Sequence, residues 1–196
     1  MSVVLVDAGG TNIGSVRYAL QRLGVDTALT ADAAAIRSAD KVILPGVGVA
    51  GSGMARLREL GLVELLRSLT QPVLGVCLGM QLLCAHSEEG DTACLGLIDA
   101  PVHRLAERPG LRVPHMGWNR LQVRRAHPLL AGLDEGDEAY FVHSYVVPSG
   151  EWTLATAEYG EPFSAVVARG NFHGMQFHPE RSAAVGAKLL KNFLDL

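Results

Sequence analysis

Short apolar runs alternate with helical patterns in the first half of the chain. Residues 3–6, 41–44 and 72–76 form strand-length runs with few polar positions, which is typical of strands covered on both faces. The segments that carry apolar residues at helical spacing cover 13–23, 54–66 (with a possible break at Gly61) and 78–85. Strands that alternate with helices predict a parallel sheet with right-handed helical crossovers.

The second half has a different pattern, in which strands follow one another directly. A turn sequence, Arg169-Gly170-Asn171, separates two of them. The predicted strands cover 121–123, 139–147, 152–157, 164–168 and 172–177, and a final helix covers 183–194. We therefore expect one domain over 1–196, of the α/β class, with a mostly parallel central sheet flanked by helices and an antiparallel addition in the C-terminal half.

Composition narrows the classes of function. The chain has 196 residues, is 48% hydrophobic and carries a net charge of −3. It lacks the stripe of basic residues that is typical of nucleic-acid-binding proteins. It has no apolar run of about 20 residues for a membrane span and no basic segment before its first apolar run, so we expect no signal peptide. The three cysteines have no CxxC spacing, which argues against a disulfide framework or a zinc site. We expect a cytoplasmic protein without metal, cofactor, nucleic acid or membrane partner.

A candidate nucleophile lies between the third predicted strand and the next helix. Gly75-Val76-Cys77-Leu78-Gly79 has the form G-x-C-x-G, the cysteine counterpart of the hydrolase nucleophile elbow. The helix N-terminus favours the Cys77 thiolate, and the Leu78 N–H can face the oxygen of an attacked carbonyl. The alternative is a buried structural cysteine, which is our interpretation of Cys84, placed within the helix, and of Cys94, placed in a loop.

A candidate base follows near the C-terminus. In an extended segment, His178 and Glu180 share one face, so the carboxylate can orient the imidazole. His173 competes for the role but has Met175 two residues on, and no metal-ligand cluster such as H-E-x-x-H occurs. His-Pro-Glu alone could be a surface loop; together with the elbow it indicates nucleophilic catalysis.

Five separated motifs occur across almost the whole chain. They are Pro45-Gly46-Val47-Gly48, GVCLGMQ at 75–81, PHMGWN at 114–119, YFVHSY at 140–145 and QFHPERS at 176–182. Together they resemble the class I, or triad, glutamine amidotransferases. Among these, the chain most resembles the glutaminase subunits of imidazole glycerol phosphate synthases, because P-H-M-G-W-N is much narrower in occurrence than the other motifs and points to that group.

The resemblance implies a Cys77, His178 and Glu180 triad that hydrolyses L-glutamine to glutamate and ammonia through a thioester. It also implies an oxyanion hole and a substrate site. The implied oxyanion-hole residues are Val47, Gly48 and Leu78, and the implied substrate contacts are Gly48, Gln81, Glu89, Ser144 and Tyr145. Glu89 suits the substrate ammonium, although it could equally be a solvated surface charge.

The resemblance further implies a (β/α)8-barrel cyclase as heterodimer partner, which receives the ammonia for imidazole glycerol phosphate formation in histidine biosynthesis. Trp118 could anchor this partner, or it could belong to the core. The chain departs from the usual family pattern at Ala8 and Thr11 in the first loop and at Arg181, where a lysine is common. The implied interface residues are Asn12, Pro114, Met116, Trp118, Asn119 and Arg181.

Two other functions are compatible with some of these motifs. A γ-glutamyl hydrolase or cysteine peptidase would share the elbow but has no use for P-H-M-G-W-N. A regulatory paralogue would bind a partner without turnover, and would typically lack one of the three triad residues present here.

Overall fold

An eight-stranded sheet organises the computed structural model, which describes residues 1–8 and 13–196. The strands are β1 Val3–Val6, β2 Thr27–Thr30, β3 Lys41–Gly46, β4 Val73–Cys77, β5 Cys84–Ser87, β6 Thr92–Ala93, β7 Ile98–Arg104, β8 His115–Arg120, β9 Gln122–Val123, β10 Glu138–His143, β11 Tyr145–Val146, β12 Thr153–Glu158, β13 Pro162–Arg169 and β14 Phe172–Met175. The helices are α1 Ile13–Arg22, α2 Ala33–Ser38, α3 Ala50–Glu59, α4 Val63–Ser68, α5 Leu78–Leu83 and α6 Ala183–Asp195.

The large sheet changes from parallel to antiparallel pairing along its width. Its order is β2-β1-β3-β4-β14-β13-β12-β9. The strands from β2 to β14 are parallel, and those from β14 to β9 are antiparallel. This confirms the expected α/β fold with an antiparallel addition. Because β4 and β14 are parallel neighbours, with Val76 opposite Met175, their carboxyl ends meet at one edge of the sheet.

Side chains of the sheet alternate between two apolar cores, one on each face. Leu74 and Val76 of β4 pack in the core that contains residues of α1 and α6, whereas Val73 packs in the core that contains residues of α2 to α5. Two-sided burial explains why the parallel strands are almost uninterrupted apolar runs. Within the described residues, no helix is long and apolar enough to cross a bilayer.

Two smaller sheets lie outside the large one. Strands β8 and β10 form an antiparallel pair, with Trp118 opposite Tyr140 and His115 opposite His143. The second small sheet has the order β11-β7-β5-β6. The run predicted as one strand over 139–147 is therefore two strands that separate at Ser144 and pair with different neighbours.

One predicted helix is shorter than expected. The sequence predicts helix over 78–85, but α5 ends at Leu83 and Cys84 begins β5. The reason is that residues 95–97 donate backbone hydrogen bonds of 2.8–2.9 Å to the carbonyls of Leu82, Leu83 and Cys84. These carbonyls are thereby satisfied without a further helical turn. The predicted break at Gly61 is confirmed, since α3 and α4 lie on either side of it and its φ is +67°.

Candidate active site

Cys77 lies at a sharp turn between β4 and α5. Its φ of 54° and ψ of −113° are strained for a residue with a side chain. The turn requires a close approach between α5 and β3, since a Cβ on Gly79 would overlap the carbonyl oxygen of Leu44. The thiol lies 3.9 Å from the Val142 carbonyl oxygen and 4.0 Å from Gln176 Nε2. The backbone is therefore bent as in a nucleophile elbow.

The other two cysteines have different surroundings. Cys84 is fully buried at the start of β5, and Cys94 is buried next to β6. Burial raises the pKa of the Cys84 thiol far above its usual range and raises that of Cys94 to about 11. Both thiols are thus held in the unreactive protonated form.

His178 and Glu180 form a buried pair beyond the end of β14. His178 Nδ1 lies 3.0 Å from Glu180 Oε1, and the side chains are 9% and 2% exposed. The expectation that both lie on an extended strand is wrong: β14 ends at Met175, and Glu180 belongs to a 3-10 turn, Pro179–Arg181. This turn, rather than a strand, brings the His178 and Glu180 side chains together. Ser182 Oγ stabilises the turn by donating a 2.7 Å hydrogen bond to the His178 carbonyl.

The electrostatic surroundings of His178 favour its charged form. Burial acts against protonation, but interactions with the Cys77 side chain and then with the Glu180 carboxylate outweigh it and raise the pKa of the imidazole to about 10. Both side chains therefore stabilise the imidazolium, and Glu180 does so through its contact with Nδ1. This is the arrangement in which a histidine can exchange a proton with a thiol.

A cavity of about 330 Å³ brings most of the predicted site residues together. Among the triad candidates, only Glu180 does not line the cavity; it contacts Nδ1 of His178, which does. The lining residues are Val47, Gly48, Cys77, Leu78, Gln81, Glu89, Pro114, Val142, His143, Ser144, Tyr145 and His178. A larger depression of about 720 Å³, between residues 120–123 and 133–136, contains none of the predicted catalytic or substrate-binding residues.

Two polar side chains that line this cavity, Gln81 and Glu89, have defined partners. The buried Gln81 amide donates to the Tyr145 carbonyl at 3.0 Å and to Gln176 Oε1 at 2.9 Å. Glu89 accepts a 2.7 Å hydrogen bond from the Ala50 N–H, so it is not merely a solvated charge. Gln176 was missed among the candidate site residues, although it opens the QFHPERS motif and could have been found there.

The interface candidates on β8 lie on an exposed surface. Met116 is 63% exposed and Trp118 is 52% exposed, so the alternative that Trp118 belongs to the core is wrong. Pro114 and Arg181 are also exposed, and Asn119 donates a 2.8 Å hydrogen bond to the Glu158 carbonyl. Asn12 and Thr11 lie outside the described residues, while Ala8 is buried.

Comparisons with known proteins identify the family of the chain. The family model described as glutamine amidotransferase class I matches residues 4–196. The chain is 57% identical over 194 residues to the imidazole glycerol phosphate synthase subunit HisH of Xylella fastidiosa strain Temecula1, covering 99% of this chain and 97% of that protein. It is 56% identical to the HisH subunit of Xanthomonas axonopodis pv. citri, with the same coverage.

Solved structures show the same fold at much lower sequence identity. A putative GMP synthase component from Thermoplasma acidophilum is similar, with a TM-score of 0.78 and 20% identity over 100% of this chain and 92% of that chain. A glutamine amidotransferase structure has a TM-score of 0.77 and 23% identity, covering 100% of this chain and 98% of the other. Because the family model matches residues 4–196 and the HisH relatives are 56–57% identical over 99% of the chain, the chain belongs to the class I glutamine amidotransferases.

Proposed function

We propose that this protein is the glutaminase subunit of an imidazole glycerol phosphate synthase. It hydrolyses L-glutamine to glutamate and ammonia and passes the ammonia to a cyclase subunit in histidine biosynthesis. The observation that carries the proposal is the cavity in which Cys77 at a strained turn lies beside His178, whose ring is hydrogen-bonded to Glu180. Identities of 56–57% over 99% of the chain to HisH subunits support the choice among amidotransferases.

In the proposed reaction, the Cys77 thiolate attacks the side-chain amide carbon of glutamine and forms a tetrahedral intermediate. The N–H of Leu78 and the loop at Val47 and Gly48, which line the same cavity, stabilise its oxyanion. The imidazolium of His178 protonates the leaving nitrogen, so ammonia departs and a thioester remains. His178 then removes a proton from water, which attacks the thioester and releases glutamate and the thiol.

The remaining cavity residues bind the amino-acid end of glutamine in this proposal. Glu89 pairs with the α-ammonium group, while its bond to the Ala50 N–H holds the carboxylate at the start of α3. Gln81, Ser144 and Tyr145, together with Gly48, complete the substrate contacts. Two hydrogen bonds to the protein hold the Gln81 side chain in one position, so it offers the substrate a fixed contact surface.

The partner we propose is a (β/α)8-barrel cyclase that docks on the exposed face of β8. Pro114 lines the cavity and immediately precedes this strand, so the docking face continues into the mouth of the active site. Met116 and Trp118 supply exposed apolar contact area, the kind that dominates binding energy. Asn119 and Arg181 add polar contacts at the edge, as does Asn12, which lies outside the described residues. Docking there delivers ammonia without release into water.

We also infer that residues 1–196 act as one domain and that the protein works in the cytoplasm. The family match from residue 4 to residue 196 supports the first inference. The three unpaired cysteines, Cys77, Cys84 and Cys94, support the second, because free thiols persist in a reducing compartment.

The experiment that tests the function measures glutamate release by the purified chain with and without the cyclase. We expect slow hydrolysis alone and strong stimulation by the partner bound to its own ligand. Equal hydrolysis of γ-glutamyl peptides without any stimulation would favour a γ-glutamyl hydrolase or peptidase instead. Cyclase binding without any turnover would favour a regulatory paralogue.

A further inference from the structure

Two buried histidines form a hydrogen-bonded chain between β8 and the wall of the cavity. His115 and His143 lie opposite each other on β8 and β10, with His115 Nδ1 3.0 Å from His143 Nε2. His143 Nδ1 lies 3.0 Å from the Tyr145 carbonyl oxygen, and Asn119 Nδ2 lies 3.4 Å from His115 Nε2. The proposed catalytic steps use neither ring, yet His143 lines the cavity.

The hydrogen-bonding groups around the two imidazole rings determine which nitrogen of each ring carries the proton. A carbonyl only accepts, so His143 carries its proton on Nδ1, and its Nε2 accepts from His115 Nδ1–H. Asn119 then donates to His115 Nε2, with its second amide hydrogen directed to the Glu158 carbonyl at 2.8 Å. All the bonds run in one direction, from Asn119 to Tyr145, which requires both rings to be neutral.

The surroundings keep both rings neutral and immobile. Burial lowers the pKa of His143 to about 3 and that of His115 to about 4. His115 stacks on Tyr159, with ring centroids 4.1 Å apart, and on Phe141 at 5.1 Å. The pair is therefore uncharged and ordered over the ordinary working range of pH.

The hydrogen-bonded chain ends at the Tyr145 carbonyl, in the backbone segment that contacts the substrate in the proposed function. The Tyr145 carbonyl accepts two hydrogen bonds, one from His143 Nδ1 and one from Gln81 Nε2, so both of its lone pairs are occupied. The Ser144 carbonyl accepts from the Leu105 N–H at 2.9 Å. The bond from His143 to the Tyr145 carbonyl bridges Ser144, the residue at which β10 and β11 separate.

We propose that His143 is a positioning residue for glutamine binding and that His115 holds it in place. Through its Nδ1–H, His143 holds the Tyr145 carbonyl and thereby orients Ser144 and Tyr145 toward the substrate. His115 restrains the ring through Nε2. This inference rests on the proposed glutaminase function, because it assigns these two histidines a role in the substrate affinity of that site.

Two substitutions of His143 separate its two hydrogen bonds. The amide nitrogen of asparagine can occupy the position of Nδ1, so H143N retains the donor to the Tyr145 carbonyl. The amide of glutamine reaches the position of Nε2, so H143Q retains the partner of His115 and loses that donor. In the cyclase complex we expect H143Q to raise the KM for glutamine about tenfold with a smaller change in kcat, and H143N to change KM less than about threefold. Thermal melts of both variants report stability separately.

Equal changes of KM in the two variants, or changes confined to the melting temperature, would overturn the inference. If H143Q does not fold, H115F decides: its ring keeps the stacking on Tyr159 and Phe141 but removes the donor to His143. We then expect KM to rise about threefold with kcat retained, and an unchanged KM would overturn the inference. A wild-type complex without glutaminase activity would instead contradict the proposed function itself.

Discussion

The Trp118 ring meets the Tyr140 ring edge-on, with the two ring centroids 5.8 Å apart. The two residues face each other across β8 and β10, and the Arg181 guanidinium carbon lies 4.4 Å from the centroid of the same Tyr140 ring. Tyr140 therefore supports both the exposed indole and a cation that contacts it. A large aromatic side chain held in place in this manner loses little conformational entropy when a partner covers it.

Replacement of Trp118 by alanine should weaken cyclase binding by about 2 kcal/mol, or roughly thirtyfold in Kd. Because the indole is half exposed, the unfolding free energy of the isolated chain should fall by less than about 1 kcal/mol. Titration calorimetry measures the first quantity and urea denaturation the second. Leu29→Ala is the matched control, since Leu29 is 43% exposed on β2, an edge strand of the large sheet, and is not among the proposed interface residues. Equal loss of affinity in both variants would argue against this docking face.

Cys77→Ala should lower glutamine hydrolysis at least about 1000-fold, because the thiolate is the attacking group. Cys84→Ala and Cys94→Ala should keep near-normal turnover, and Cys84→Ala should cost about 1 kcal/mol of stability because the residue is fully buried. Labelling with a glutamine-like electrophile, followed by peptide mapping, identifies the reactive thiol. Modification at Cys84 or Cys94 would be incompatible with the assignment.

His178→Asn should abolish turnover, and Glu180→Gln should be on the order of 10- to 100-fold less damaging. The imidazole itself transfers protons, whereas the carboxylate, 3.0 Å from Nδ1, only orients the ring and stabilises its charge. The kcat of each variant in the cyclase complex tests this order. A Glu180 variant less active than the His178 variant would reverse the two roles.

The stability of the protein should decrease at alkaline pH because of His178. A group whose pKa is raised from 6.5 to about 10 on folding contributes stability that is fully present below pH 6.5 and is lost as the pH rises through about 10. Urea denaturation between pH 6 and pH 10 should show this loss. In Glu180→Gln the pKa of His178 falls, so the loss should move to lower pH, and this comparison cancels other groups that titrate in the range. Identical profiles for both proteins would contradict the coupling.

Gly79→Ala should destabilise the elbow by about 2 kcal/mol or more, since its Cβ would overlap the Leu44 carbonyl oxygen. Gly14→Ala is the matched control in α1: its Cβ would have only ordinary contact, 3.9 Å from Tyr18 Cε2. The control should be neutral or more stable by up to about 1 kcal/mol. Thermal and urea unfolding of both variants measure the difference. Equal stabilities would show that α5 can move away from β3 at no cost.

The parallel half of the fold could be predicted because two-sided burial leaves a strong pattern. Strands β1, β3 and β4 are apolar runs that end at turn sequences, so their existence follows from the sequence. β2 was missed because its residues, Thr27–Thr30, are partly exposed at the sheet edge and alternate weakly. The early end of α5 could not be predicted, since its cause is a backbone pairing with residues 95–97, far along the chain from the start of the helix.

The elbow and the His178–Glu180 pairing could be predicted because each is local in sequence. The reason given for the pairing was wrong, since a 3-10 turn rather than strand alternation brings the two side chains together. The hydrogen bonds of Gln176 and of the His115–His143 pair could not be predicted from spacing. The histidine pair depends on how β8 meets β10, and the bond between Gln81 and Gln176 depends on how α5 meets the segment after β14. The two separations along the chain are 28 and 95 residues.

The parallel contact between β4 and β14 also determines when during synthesis the site can first exist. The strand that ends at Cys77 is made first, and Gln176, which directly follows β14, is made 99 residues later. A chain on the ribosome that has not yet reached β14 therefore carries the thiol without its base. The thiol and its base can therefore meet only after β14 has been made, because the pairing of β14 with β4 brings His178 to the end of the strand that carries Cys77.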